Sequence, residues 1–326
     1  MASPNQKVEN MFATTRTICA GRFLIDIPAS ATVVYGDLWG PYEIERYPNE
    51  AANIEAYLSR YAEKLKEDRS FASKQLLGPH SMLGKVVKGA APGQRLFFGV
   101  DRGSSIFYEI YSLMPVGADL FVQIGTSSHK DYASVVEILN STARRIEPLR
   151  ENGVPTYSGF CIDGALIKDD IESDVEKVQM GVRLQEFPDV HFSIEMTRKD
   201  FRVESDAIEP RLEEARRRAF AMGWGSWYSR IKTLRKGDRT LGPWKGFEVL
   251  VHIPSRKEIG ESHDFNFVAL GIPKNPQVPT IDMKLDTGVH DNRPGAVKPS
   301  VTDEEALDIW DRITKSIRLR PVASSK

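Results

Sequence analysis

The sequence predicts an α+β protein of two related domains, each an antiparallel sheet with helices packed on one face, related by internal duplication. Three observations predict it. At 326 residues the chain is long for one core and comfortable for two domains of roughly 150 residues. Runs rich in aromatic and β-branched residues recur with Gly or Pro between them, the pattern of antiparallel strands. Amphipathic helical periods fall at matching places in the two halves, and helices set apart from such strand runs indicate an α+β sandwich.

The first half opens on Cys19-Ala20-Gly21-Arg22-Phe23-Leu24-Ile25-Asp26, an apolar strand-like run. A helix is expected from Glu50 to Asp68, with Ile54, Tyr57, Leu58, Tyr61 and Leu65 on one face. Strand signals follow at Arg95–Val100, Ile106–Leu113 and Leu120–Ile124, the second ending at Pro115. Val135, Leu139, Thr142 and Ile146 then mark a closing helix by their i, i+4, i+7, i+11 spacing. Glu151-Asn152-Gly153-Val154-Pro155 is rich in turn residues, and we place the seam there, giving domains 1–152 and 153–326.

The second half repeats the order. Gly159-Phe160-Cys161-Ile162-Asp163-Gly164-Ala165-Leu166-Ile167 opens it. A helix is expected from Ser205 to Met222 with Ile208, Leu212, Ala215 and Ala219 inward, followed by strands at Phe247–Ile253, Asp264–Leu270 and Thr280–Leu285. Ala306, Trp310, Ile313 and Ile317 repeat the closing-helix spacing, displaced by 171 residues from the first set throughout. Thr302 with Glu305 supplies a capping box for that helix. Identity between the halves is low, so the duplication rests on element order and a few anchors.

Composition narrows the function. With 44 basic and 45 acidic residues, split 17 to 16 over residues 1–150 and 27 to 29 beyond, the chain lacks the electrostatic footprint of a nucleic-acid binder. No apolar run reaches the roughly 18 residues of a membrane span, so no integral membrane segment is expected. Met1 to Thr15 is polar and shows no secretory signal, which leaves a cytoplasmic protein or an exported one with its signal removed. Cys19 and Cys161 are the two cysteines, without zinc spacing, and are expected as buried small hydrophobes, with a disulfide between the domains as the alternative.

Catalytic motifs are missing: no GxSxG elbow, P-loop, GxGxxG fingerprint, HExxH or EF-hand loop. No metal or cofactor is expected. Asp286-Thr287-Gly288 spells an aspartic-protease triplet, but that chemistry needs a second carboxylate on a second copy, and none exists. The triplet is read as a turn. His263-Asp264 beside Glu261 and Ser262 offers an imidazole and a hydroxyl, yet neighbouring strand residues face opposite ways. The run Lys168 to Asp174 is acidic but lacks the Gly and terminal Glu of a calcium loop, and reads as a solvated turn. Arg216, Arg217 and Arg218 alternate with Glu209, Glu213 and Glu214, which describes a solvated helix surface. Two aromatic clusters remain: Trp39-Gly40-Pro41-Tyr42 and Trp224-Gly225-Ser226-Trp227. Aromatic residues in Gly-rich connections either plug the domain's own core or anchor an interface, so Trp39, Tyr42, Trp224 and Trp227 are the candidate partner-binding residues.

The runs Thr17–Pro28, Tyr157–Gly164 and Gly242–Glu248 resemble those of the Tli4-type immunity proteins of bacterial type VI secretion systems. The two-domain layout resembles theirs over nearly the whole chain. The resemblance implies a periplasmic protein without catalytic residues, one that binds and inhibits a cognate phospholipase or lipase effector and so protects the producing cell. Two domains gripping one enzyme would reinforce each other through effective concentration. The alternatives are an envelope enzyme built from His252, His263 and Asp264, or a lipid-binding module with an internal apolar cavity.

Overall fold

The structure, a computed structural model, describes residues 4–36, 42–149, 153–169, 176–257 and 259–322. The chain begins with helix α1 (Pro4–Met11) and strands β1 (Thr15–Ala20), β2 (Phe23–Pro28), β3 (Thr32–Tyr35) and β4 (Ile44–Tyr47). Helix α2 (Ile54–Asp68) leads to β5 (Val86–Lys88), β6 (Arg95–Val100), β7 (Phe107–Val116) and β8 (Asp119–Ser128). Helix α3 (Tyr132–Arg145) precedes β9 (Ile146–Pro148), β10 (Gly159–Ile162), β11 (Ala165–Lys168), β12 (Glu176–Arg183) and β13 (His191–Arg198). Helices α4 (Ile208–Ala221) and α5 (Gly225–Tyr228) come next, then β14 (Lys232–Leu241), β15 (Trp244–Ile253), β16 (Ser262–Ala269) and β17 (Thr280–Asp286). Helix α6 (Asp303–Ser316) and β18 (Arg318–Leu319) close the chain.

These elements form two compact units, Met1–Gly36 with Asp174–Lys326, and Asp37–Ser173. The expected seam at 152/153 therefore does not divide them. The reason is backbone pairing by the opening hairpins. The β1–β2 hairpin takes β18 as its third strand, and the β10–β11 hairpin takes β9. Each hairpin of one sequence half is thus completed by the last strand of the other. Both hairpins turn on two residues, Gly21-Arg22 and Asp163-Gly164, and the glycines sit at φ 58° and 66° where a side chain would strain the turn. Each glycine-bearing run, read in the sequence as one strand, is therefore two, because the glycine lets the chain reverse.

In the Asp37–Ser173 unit the main sheet runs β4-β8-β7-β6-β5, antiparallel throughout. Phe97 and Tyr111 are register partners on one face, and Tyr61 of α2 stacks on both, at 6.1 and 4.0 Å between ring centroids. Their neighbours Phe98 and Ile110 point the other way, toward α3, whose Tyr132 meets Phe98 edge-on at 5.7 Å. Gly125, opposite Ile110, lets α3 approach: a Cβ there would come within 2.7 Å of Val135. Arg46 donates from Nε to Asp119 at 2.7 Å and from Nη1 to Asp163 at 2.8 Å, tying β4 to the β10–β11 turn.

In the other unit the main sheet runs β14-β15-β16-β17-β13-β12-β3. Ile208 of α4 packs on Val249 and Val268, on one face. Trp310 of α6 lies on the other, 6.1 Å from the Phe265 ring, and its indole N–H donates to Glu248 at 2.8 Å. Glu248 is only 3% exposed. Arg235 donates to it at 2.6 Å, and Arg239 also pairs with it while bonding Asp311 at 3.0 Å. A carboxylate that far from water is tolerable because both its oxygens accept hydrogen bonds, most of them from arginine; stripping a partner from such a group costs about 3–5 kcal/mol.

Three expectations need correction. Each of the two large sheets carries one helix on each face, not helices on one face, because consecutive residues of their central strands, such as Phe97-Phe98 and Val249-Leu250, are apolar and both faces need cover. Residue Ala215 of α4 is exposed, not inward, although Ile208 and Ala219 are buried as expected. The strand orders repeat: β5-β6-β7-β8-β4 in one sheet and β14-β15-β16-β17-β13 in the other, each with a helix before its first strand and one after its fourth. The capping box on α6 forms as expected, with the Thr302 hydroxyl accepting from Glu305 N and the Glu305 carboxylate from Thr302 N. Cys19 and Cys161 are both buried, but neither is a free thiol: both are disulfide-bonded, which corrects the expectation of free cysteines.

Candidate functional site

The strongest candidate surface lies at the end of α4. Gly223 ends the helix at φ 75°, its N–H donating to Phe220 O and the Trp224 N–H to Ala219 O. This 5→2 and 6→1 pair of bonds is a Schellman cap, and only glycine adopts the left-handed conformation there without strain. The cap throws the chain outward, so Phe220 and Met222 are each 52% exposed and Trp224 38%. Trp227 is half-buried, pinned by its indole N–H to the Pro254 carbonyl at 2.9 Å. The Arg256 guanidinium lies 3.6 Å from the Trp224 ring centroid and 4.9 Å from that of Trp227. A planar cation against two indoles holds both rings in place and leaves the outer face of Trp224 to solvent. Ile259, hydrogen-bonded through its backbone to Arg256, adds another exposed apolar side chain.

Of the four residues read as interface anchors, the structure gathers Trp224 and Trp227. Tyr42 is half-buried against the sheet of its own unit: its ring lies 3.4 Å from the position a Gly125 Cβ would take, and burial raises its hydroxyl pKa. Trp39 lies outside the described residues. Phe220, Met222 and Arg256 were not singled out from the sequence. The first two sit in a helix whose period suggested ordinary amphipathicity, and Arg256 reaches the tryptophans only through the β15–β16 connection.

The second candidate is polar. His252 and His263 are cross-strand partners on β15 and β16, with ring centroids 4.8 Å apart. Their carboxylate is Asp303, the first residue of α6: its Oδ1 accepts from His252 Nδ1 at 2.8 Å and from His263 Nε2 at 2.9 Å. Lys232 donates to Asp303 Oδ2 at 2.7 Å. Asp264, the carboxylate that the sequence suggested, faces the opposite side of the sheet, where it bonds Asn266 at 2.6 Å. Burial works to raise the Asp303 pKa, but hydrogen bonds from Lys232, His263 and His252 outweigh it and hold the carboxyl below the usual range. Burial pushes the His263 pKa down, against the pull of Asp303. Thr287 of the Asp-Thr-Gly triplet is buried, and its hydroxyl contacts both His263 N, at 2.7 Å, and His263 Nδ1, at 2.9 Å. The triplet is not the turn expected of it: Asp286 is the last residue of β17, and the chain bends only at Gly288, at φ 65°. Of the acidic run, Lys168 and Asp169 are described and the rest lies outside the described residues.

Two open clefts flank the same unit. One, of about 440 Å³, lies between the start of α4 and β14–β16 and is lined by Arg202, Glu209, Arg239, Lys245 and Phe247 among others. The other, of about 790 Å³, is lined by Arg183, His191, His290 and Asn292 beside Ser30 and Thr32. Neither is the enclosed apolar cavity that a lipid-binding module needs.

Comparison with known proteins follows the fold. The apo immunity protein TplEi of the T6SS from Pseudomonas aeruginosa superposes with a TM-score of 0.74 at 24% identity, over 95% of this chain and 98% of that one. The Tle4–Tli4 complex contains a chain that superposes with a TM-score of 0.75 at 24% identity, over 95% and 98%. TplEi from the same organism complexed with "L" peptide gives 0.70 at 23% identity, over 95% and 99%. These likenesses are of fold. No curated protein matches the chain. The family described as Tle cognate immunity protein 4 C-terminal domain matches residues 153–322, which is more than half of the sequence. The chain therefore belongs to the Tle cognate immunity protein 4 family.

Proposed function

We propose that this protein is an immunity protein that binds a cognate lipase or phospholipase effector of the type VI secretion system and blocks it, protecting the producing cell. The family match carries the reading. The relatives agree with it: one solved structure is of a Tle4–Tli4 complex, and two others are of a T6SS immunity protein. The protein acts by occupying surface rather than by turnover. Its exposed aromatic cluster is the kind of patch that supplies interface anchors, while His252 and His263 are hydrogen-bonded to Asp303. We place it in the periplasm, because both cysteines are disulfide-bonded and such bonds persist in oxidising compartments. Among the described residues no helix is long and apolar enough to cross a membrane.

The direct test mixes the purified protein with the lipase encoded beside its gene and follows phospholipid hydrolysis. Inhibition that saturates at a fixed stoichiometry is expected. Full hydrolysis in the presence of excess protein overturns the proposal.

A further inference from the structure

We propose that His252, His263 and Asp303 form a binding site for a zinc-class divalent cation, with Glu261 and Thr287 as the outer partners that orient the two imidazoles. Three side chains from three elements, β15, β16 and the first turn of α6, bring one donor atom each to within 4.8 Å of the others. Two imidazole nitrogens and one carboxylate oxygen are a borderline-soft set that suits zinc over calcium or magnesium.

The outer partners are what distinguish this cluster from a chance meeting of histidines. A ligating histidine must present a lone pair to the metal, so its proton has to sit on the other ring nitrogen, where an acceptor should wait. For His263 that nitrogen is Nδ1, and the Thr287 hydroxyl stands 2.9 Å from it. For His252 it is Nε2, and a Glu261 carboxylate oxygen stands 3.6 Å away. Both rings thus have a second home for the proton that now points at Asp303. The His252 tautomer with Nε2–H facing Glu261 is the carboxylate–histidine–metal arrangement.

The geometry needs modest adjustment. Zinc bonds of roughly 2.0–2.2 Å require the three donors to regroup by about an ångström. His252 and Asp303 can move, since their side chains are 27% and 17% exposed, whereas His263 at 2% is the fixed point. The opposing feature is Lys232, whose ammonium now occupies Asp303 Oδ2. Its side chain is 66% exposed, so it can yield, and the metal takes Oδ1 alone. Three protein ligands leave a fourth position for solvent. A bound ion would clamp the start of α6 to the middle of the sheet.

The test titrates chelator-treated full-length protein with zinc chloride in a calorimeter, with cobalt(II) as a visible-absorbance probe of coordination. One-to-one zinc binding is expected. His252→Ala should abolish it, and Glu261→Gln, a part-exposed change that spares the fold, should weaken it about 10–100-fold. Lys232→Met should tighten it by removing the competing ammonium. No zinc uptake by the wild type, or uptake unchanged in both His252→Ala and Glu261→Gln, overturns the proposal. The readout is independent of effector binding, so failure here leaves the immunity reading untouched.

Discussion

Asp286 ends β17 beside Lys284, whose ammonium lies 3.1 Å from its carboxylate. Burial nevertheless outweighs that partner and pushes the Asp286 pKa up to about 6, from an ordinary 3.8. A carboxyl whose pKa is higher in the folded state binds more protons folded than unfolded. Its contribution to stability is therefore largest at low pH and falls as pH rises through the window between 3.8 and 6. Asp286→Asn removes that titration. The stability difference between the variant and the wild type should shift in the variant's favour by about 1 kcal/mol between pH 5 and pH 7.5. Urea unfolding at the two pH values checks it, and a shift of the opposite sign contradicts the assignment. Little of this was legible in the sequence. Asp286 was read within a turn triplet, and Asp264 was paired with His263 because they are adjacent in sequence. The strand pleat sends those two side chains to opposite faces, and the carboxylate that His263 meets is 40 positions away.

Helices were easier to read than what they cover. The apolar spacing of α3 and α6 placed Val135, Leu139, Ala306, Trp310 and Ile313 inward, and all five are buried. Periodicity reports which side of a helix is apolar, but not which face of a sheet receives it, so one helical layer was expected where there are two. The end of α4 shows the same limit. The Met-Gly-Trp-Gly sequence marks a helix stop, but only the Schellman geometry shows that Trp224 is left outside and backed by Arg256. Trp224→Ala is expected to weaken effector binding by at least about tenfold, as removal of an exposed aromatic anchor does. Because the ring is not in the core, the melting temperature should hardly move. Titration calorimetry with the effector, alongside a thermal melt, checks both halves of this expectation. Unchanged affinity would remove Trp224 from the interface.

For the molecule as a whole, the consequential feature is the exchange of hairpins between the two sequence halves. Phe23, Ile25 and Ile27 of β2 are essentially inaccessible, as are Cys161, Ile162 and Leu166 of β10 and β11. Each set is buried in the unit built mostly from the other half. Ser316 of α6 reinforces one of these joints by accepting from the Asp26 N–H at 3.0 Å. Separate chains of residues 1–152 and 153–326 would each expose one apolar hairpin and lack the other. Each alone should show no cooperative unfolding transition, whereas the two produced together should assemble and show one. Independent cooperative folding of either piece would contradict the exchange. The disulfide-bonded cysteines stand in these same hairpins, so a thiol titration in denaturant should find none before reduction and two after it.

Helices α2, α3, α4 and α6, the strand runs β6 to β8 and β15 to β17, the cap of α6 and the balance of charge follow from residue type and short-range spacing. They depend on interactions spanning a few positions, and composition and periodicity record those. The pairing of β2 with β18, the two-sided cover of each sheet, the oxidised cysteines and the meeting of His252 and His263 with Asp303 depend on register between segments 40 to 300 residues apart. Backbone hydrogen bonds carry no residue label, so the packing of the folded chain selects those partners.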